Sequence, residues 1–267
     1  MSSRGRFIPL IWFQPDDGCN APLFSRIVSF TIVFILVSAV FLFAFSQLQY
    51  GWNWQAVWQY RQKFLQGWLT TVLISAVALS LSLLISIFFA LARGSRLLPL
   101  RYLAMLYVEV VRGTPLLVQI LVFFYVVADA FGVSNRYAVG ILTLALFAGA
   151  YLSEIIRAGI ESVGESQLES AYAIGLTRFQ TYRFVIFPQV VRRILPPLAG
   201  QFASLIKDSS LLSIIAVSEF TLNAQEVNSF TFSTMESYLP LAVGYLLLTL
   251  PISLLSRYLE QKYRYAT

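Results

Sequence analysis

Residues Ile27 to Leu48 read IVSFTIVFILVSAVFLFAFSQL, and no charged residue occurs between Arg26 and Arg61. A spanning helix needs about 20 mostly apolar residues, and this run meets that length. In lipid the backbone amides have no water to bond, so a single span of this kind must be a helix. Five more runs follow. They cover about Gly67 to Ala92, Tyr102 to Ala128, Tyr137 to Ile156, Pro197 to Phe220 and Tyr238 to Ser256. The third contains Glu109 and Arg112, the fourth has Glu154 near its end, and the fifth is broken by Lys207-Asp208. The expectation is an all-α, polytopic membrane bundle of about six transmembrane helices.

Composition supports this reading. Of 267 residues, 58% are hydrophobic and 12% charged, against about 25% charged in soluble domains. Mean hydropathy is +0.71. There is no histidine, which removes the commonest metal ligand and general base. Cys19 is the only cysteine, so an internal disulfide is impossible. Neither a catalytic residue nor a metal site is expected. The first apolar run lies too far from Met1, and is too long, for a signal peptide, and it reads as a retained anchor.

The net charge of +6 reflects where the bases sit rather than nucleic-acid binding. With a cytoplasmic N-terminus, the inner segments hold Arg4, Arg6, Arg26, Arg93, Arg96, Arg101, Arg157, Arg178, Arg183, Arg192, Arg193, Arg257, Lys262 and Arg264. The outer segments hold only Arg61, Lys63 and Arg136. This asymmetry places both termini in the cytoplasm. Residues 1–26 are then a cytoplasmic tail, 27–48 a first helix and 49–66 an outer interfacial segment. Residues 67–257 form the main membrane domain with a long inner loop at 158–197, and 258–267 a cytoplasmic tail. Trp52, Trp54, Trp58 and Tyr60 suit an amphipathic helix on the outer surface.

The inner loop is too polar to span. Within it, Leu168, Tyr172, Leu176 and Phe179 fall at helical spacing. Ser166 and Glu169 fit a capping box, and Gly175 is a plausible stop. Pro188 and Pro196-Pro197 delimit further short pieces. An ordered helix outside the bilayer packs either on its own membrane domain or on a partner protein.

The residues of this loop carry a family resemblance. Glu169-Ser170-Ala171, then Gly175, then Val185-Ile186-Phe187-Pro188 resemble the cytoplasmic EAA loop of permeases in binding-protein-dependent ABC importers. The pattern departs only by small or apolar exchanges at Ser170, Val185 and Phe187. Further stretches resemble the polar amino acid branch of that family. They are Arg112-Gly113-Thr114-Pro115-Leu116-Leu117-Val118-Gln119, Ala150 to Arg157, Pro188-Gln189 and Lys207-Asp208-Ser209-Ser210-Leu211. Together they cover about Gly67 to Tyr263. The helix at 27–48 lies outside the core of five that many relatives have.

The resemblance implies a type I importer fold and a set of partners. These are two ABC ATPase subunits that bind ATP and Mg, a second permease chain as homo- or heterodimer, and an extracytoplasmic solute-binding protein. It implies a polar amino acid as substrate and the bacterial cytoplasmic (inner) membrane as location. The chain has no P-loop of its own, because Lys63, Lys207 and Lys262 are followed by Phe, Asp and Tyr rather than Ser or Thr. The resemblance also makes the segment with Glu169, Ser170, Ala171, Gly175 and Pro188 the element that couples to the ATPase. Glu169 either caps its helix or pairs with a base across that interface.

Ionisable residues at bilayer depth usually face protein or a water-filled path. Pro115 should kink its helix beside Arg112, and broken helices at midplane are where transporters place substrate. Arg112, Glu154, Lys207 and Asp208 are therefore substrate-path candidates, with Thr114, Gln119 and Ser209 as uncharged contributors. The competing reading makes Glu109–Arg112 and Lys207–Asp208 internal ion pairs. A secondary transporter or channel would explain the helices and their charges, but not the spacing of the loop. An intramembrane enzyme would need a pair such as Lys207 and Ser210, and no zinc motif is possible without histidine.

Overall fold

The computed structural model describes residues 23–47 and 50–263. Arg4, Arg6, Cys19 and Arg264 lie outside the described residues. All regular structure in the described residues is helical. The chain divides into two units, Met1–Trp52 and Asn53–Thr267. In the first unit α1 (Leu23–Ser46) is 24 residues long, which at 1.5 Å per residue gives about 36 Å. Phe30, Phe34 and Leu42 are exposed along it, as suits a helix solvated by lipid.

The second unit opens with α2 (Trp54–Gln59), capped by Asn53, whose side chain accepts from the Ala56 amide at 3.1 Å. Val57 is buried while Trp54 and Trp58 are exposed, the amphipathic character expected of the interfacial segment. The long helix α3 (Arg61–Arg93) follows at once. Its buried face is made mostly of small residues, Gly67, Thr71, Ser75, Ala78, Ser82, Ser86 and Ala90, with Ile74 among them, while Leu73, Leu84, Phe88 and Leu91 point outward. This inverts the pattern of a soluble helix. Lipid tails solvate leucine as well as protein does, so close backbone approach between small residues drives packing. Ser82 and Ser86 donate back to the carbonyls of Leu79 and Leu83, which satisfies their hydroxyls within the helix.

The principal partner of α3 is α6 (Arg136–Glu161). At Gly149 of α6 a Cβ would lie 2.7 Å from Ile85 Cγ2 and 3.1 Å from the Tyr107 hydroxyl. Only glycine permits this approach. Between them in sequence, α4 (Leu98–Gly113) and α5 (Leu116–Val122) form a broken element, with a π-helical stretch at Phe123–Ala128. Pro115 was expected to kink a single helix. The break is far larger, a bend of 110°.

After α6 come α7 (Glu165–Ala173), a single turn α8 (Arg178–Gln180), a π-helical stretch at Thr181–Ile186 and α9 (Phe187–Asp208). The loop expected at 158–197 is thus largely helical. Pro196-Pro197 do not delimit a piece, because α9 runs straight through them. The missing amides leave the helix continuous where it packs along α11 (Thr234–Tyr263), and Ser256 Oγ donates to the Pro196 carbonyl at 2.9 Å. The apolar run from Pro197 to Phe220 is not one helix. It ends as α9 at Asp208, tightens to a 3₁₀ segment at Ser209–Ile215, and turns at Ala216, which has φ 58°. Then α10 (Phe220–Thr231) begins.

Helices α1, α3, α6 and α11 are long and apolar enough to cross a membrane, and the bent pair of α4 with α5 adds a fifth segment. The sixth long helix, α9, carries Arg192, Arg193, Lys207 and Asp208 and is less apolar. The core of the second unit gathers Ile74, Ile120, Leu144, Ala148, Leu205 and Leu212.

Candidate functional site

Glu165 starts α7 behind Gly164, and no side chain caps it. The expected capping box of Ser166 with Glu169 does not form, because the helix begins two residues earlier than that pattern requires. The capping box occurs instead at Thr177 and Gln180, each side chain bonding the other's amide. Ser170 Oγ donates to the Ser166 carbonyl at 2.8 Å. Gly175 ends the helix as expected, with φ +79°. Its amide donates to Tyr172 and that of Leu176 to Ala171, at 3.0 and 3.1 Å. These two bonds are the paired closure of a helix by a left-handed residue.

Ala171 is buried, and Leu168 packs on Val163, Ile186 and Val190. Gln189 Nε2 donates to Gln167 Oε1, and Arg193 to the Ser162 carbonyl. Pro188, in the first turn of α9, is half-buried. One face of α7 is therefore held on the membrane domain. The opposite side is open. Glu169 and Tyr172 are exposed, Ile174 is 76% exposed and Phe179 77%. Of the apolar stripe read from spacing, Leu168 turns inward while Tyr172 and Phe179 turn outward.

The charged candidates separate into two groups. Arg112, at the end of α4, lies over the ring of Tyr151 at 5.4 Å. Three residues on, on the same face of α6, Glu154 bonds Arg93 at 2.6 Å and also Arg157. Arg157 pairs in addition with Glu161. In the second group, Lys207 is exposed, Asp208 half-buried and Ser209 fully buried, with its Oγ donating to the Ile206 carbonyl at 2.7 Å. Among the described residues no ion pair joins Glu109 to Arg112 or Lys207 to Asp208. Adjacent residues on a helix do not face each other, which accounts for the latter.

Thr114 and Gln119 hold the break between α4 and α5. Gln119 is buried, and its Nε2 donates to the Val111 carbonyl at 2.7 Å, the Thr114 carbonyl at 3.1 Å and Thr114 Oγ1 at 2.8 Å. Thr114 Oγ1 donates onward to the Val110 carbonyl. The last carbonyls of α4, which would otherwise lack partners at bilayer depth, are met in this way.

Several polar residues escaped the sequence reading. Gln59, Gln62, Lys63, Gln66 and Thr70 line a cavity of about 780 Å³ at the end of α3 away from α7, and Lys63 pairs there with Glu226 of α10. Their spacing of three and four was the available signal. Glu219 is fully buried and accepts from the amides of Thr221 and Leu222 at 2.8 Å and from the Tyr245 hydroxyl at 3.0 Å. It is the N-cap of α10, a position readable from an acid just before a helix. Glu236 is also fully buried and accepts from the Asn53 amide. No local pattern marks that contact.

A membrane bundle with a broken helix at depth, and a short capped helix held against one end, has the architecture of a transport permease. The chain belongs to the family described as "Binding-protein-dependent transport system inner membrane component", whose model matches residues 82–265. It is 34% identical to the glutamine transport system permease protein GlnP of Escherichia coli K12, over 79% of this chain and 97% of that one. It is 38% identical to the L-cystine transport system permease protein TcyB of Bacillus subtilis, over 72% and 82% respectively. A crystal structure of an amino acid ABC transporter with histidines aligns at TM-score 0.74 and 33% identity, covering 80% of this chain and all of that one. The MetNI methionine ABC transporter aligns at TM-score 0.63 with 13% identity, a likeness of fold.

Proposed function

We propose that this chain is the membrane subunit of an ATP-driven importer of polar amino acids, working by alternating access. The observation that carries this reading is α7. It is closed by Gly175 at φ +79°, anchored through Ala171 and Leu168, and presents Tyr172, Ile174 and Phe179 outward. A helix fixed on one side, with bare aromatic and aliphatic groups on the other, fits a cleft in a partner protein. That partner is the ABC ATPase subunit, which binds ATP and Mg. A second permease chain completes the membrane part, and an extracytoplasmic solute-binding protein delivers substrate. The α7 end faces the cytoplasm, as the arginine asymmetry requires, with both termini on that side of a bacterial inner membrane.

Arg112, Lys207 and Asp208 make no ion pair among the described residues and are the charged groups best suited to a substrate carboxylate and ammonium. Glu154 serves the path through the arginines it holds, and Ser209 through its place beside Asp208. Thr114 and Gln119 shape the path by fixing the break. The names of GlnP and TcyB support a polar amino acid substrate. The test is uptake into vesicles containing the whole complex, with basic, acidic and amide amino acids as competitors. One class should inhibit strongly and ATP should be required. Uptake indifferent to all three, or independent of ATP, overturns the proposal.

A further inference from the structure

A second cleft, of about 440 Å³, opens between the α7-side ends of α3, α4 and α6. Arg93, Arg101 and Arg157 converge on it from three different helices, with Glu161 and Tyr182 beside them, while Leu91, Met105 and Ile160 form an apolar wall. Arg93 and Arg157 share Glu154, and Arg157 also holds Glu161. The Arg101 guanidinium makes no hydrogen bond or ion pair among the described residues. Three guanidinium groups against two carboxylates leave one positive charge, which is matched by one phosphodiester. Arginine is the side chain best shaped to hold phosphate oxygens. The apolar wall continues onto the outer face of α3, where Leu91 is 65% exposed.

We propose that this cleft binds one anionic phospholipid, with its phosphate at Arg101 and the neighbouring guanidinium groups and an acyl chain along Leu91, Met105 and Ile160. The chemistry decides the occupant. A free phosphate uses the arginines and leaves the apolar wall bare. A neutral tail uses the wall and leaves Arg101 without a counter-ion. Basic clefts between membrane helices suit anionic head groups, and each arginine near such a surface favours binding by about fivefold. A bound lipid would tie α3, α4 and α6 together beside the coupling helix. This inference needs only the membrane location and is independent of the amino acid reading.

The test is native mass spectrometry of the full complex, presented with equal amounts of phosphatidylglycerol and phosphatidylcholine. The wild type should retain phosphatidylglycerol preferentially, one molecule per permease chain. Arg101→Gln should lower that preference about fivefold. Met105→Trp, which fills the apolar half, should lower retention of both lipids. Millimolar inorganic phosphate should displace neither. Equal retention by Arg101→Gln and wild type overturns the proposal. So does displacement by inorganic phosphate, which would assign a free anion. Loss of the ATPase subunit from the Arg101→Gln complex, with lipid unchanged, also overturns it and gives Arg101 to a protein partner. Lipid retention is read without transport, so failure of amino acid uptake would leave this result standing.

Discussion

Replacing Gly175 by valine tests the proposed coupling role of α7 through a single backbone angle. The residue sits at φ +79°, and a Cβ added there meets nothing within 4 Å. The cost is therefore conformational rather than steric. Left-handed backbone costs an L-residue about 1–2 kcal/mol, and a β-branched side chain lies at the upper end. That penalty falls on the closure of α7, where the amides of Gly175 and Leu176 bond Tyr172 and Ala171. It lowers the ratio of ordered to frayed helix end by about 5- to 30-fold. The membrane core lies elsewhere, around Ile74, Ile120, Leu144 and Leu212, and should not feel it.

Gly175→Val is therefore expected to reach the membrane at normal abundance and to melt in detergent like the wild type. Its substrate-stimulated ATPase activity and uptake, measured in vesicles with the whole complex, should fall, by at most about 30-fold. Gly175→Asn is the control, because asparagine tolerates the left-handed region, and it should retain most activity. Full coupling in the valine variant would refute the role of α7. Equal damage from asparagine and valine would refute the backbone argument and point to the side chain.

Three further substitutions probe the scaffold. Gln119→Glu removes the amide that donates to Val111 and Thr114; leaving those carbonyls bare should lower stability by about 1–3 kcal/mol, read by thermal unfolding in detergent. Gly149→Val overpacks the contact with Ile85 and should cost about 1–3 kcal/mol, and Ile85→Ala in the same chain should recover part of it. Glu154→Gln strands Arg93 and leaves Arg157 with Glu161 alone; with side chains 16% and 23% exposed in the Arg93 pair, the loss should fall below the roughly 3–5 kcal/mol of a fully buried pair. Exchanging Arg93 and Glu154 should not restore it, because Arg157 also depends on a carboxylate at 154.

The spans were legible because lipid imposes a length and an apolarity that any sequence window reveals. Their packing was not. The inward face of α3 is Gly67, Thr71, Ser75, Ala78, Ser82 and Ser86, and hydropathy scores such residues as unremarkable. A search for small residues at spacings of three and four would have found that face. Pro115 announced a break, yet the 110° bend depends on Gln119 reaching back to Val111 and Thr114, and no local rule couples a glutamine to carbonyls five and eight residues earlier. At Pro196-Pro197 the same reasoning over-read the sequence, since α11 packs along a helix that those prolines do not interrupt.

The geometry of α7 was easier to read from the sequence than the surroundings of the charges at depth. The features that define α7 are local. A left-handed glycine, the bonds of its amide to Tyr172 and of the Leu176 amide to Ala171, and a stripe at helical spacing all fall within Glu165–Phe179. The charges at depth owe their states to distant partners. Glu154 meets Arg93 across 61 positions, and Glu219 is held by Tyr245 from 26 positions away. Near neighbours in sequence, Glu109 with Arg112 and Lys207 with Asp208, were natural candidates for pairing, and the fold joins neither. Arg112 turns to the Tyr151 ring instead. A charge left without a counter-ion in such a bundle is costly, and the cost is justified where a charged ligand supplies the missing partner. Arg112, Lys207 and Asp208 are accordingly proposed for the substrate path ahead of Glu154, whose carboxylate is already shared by two arginines.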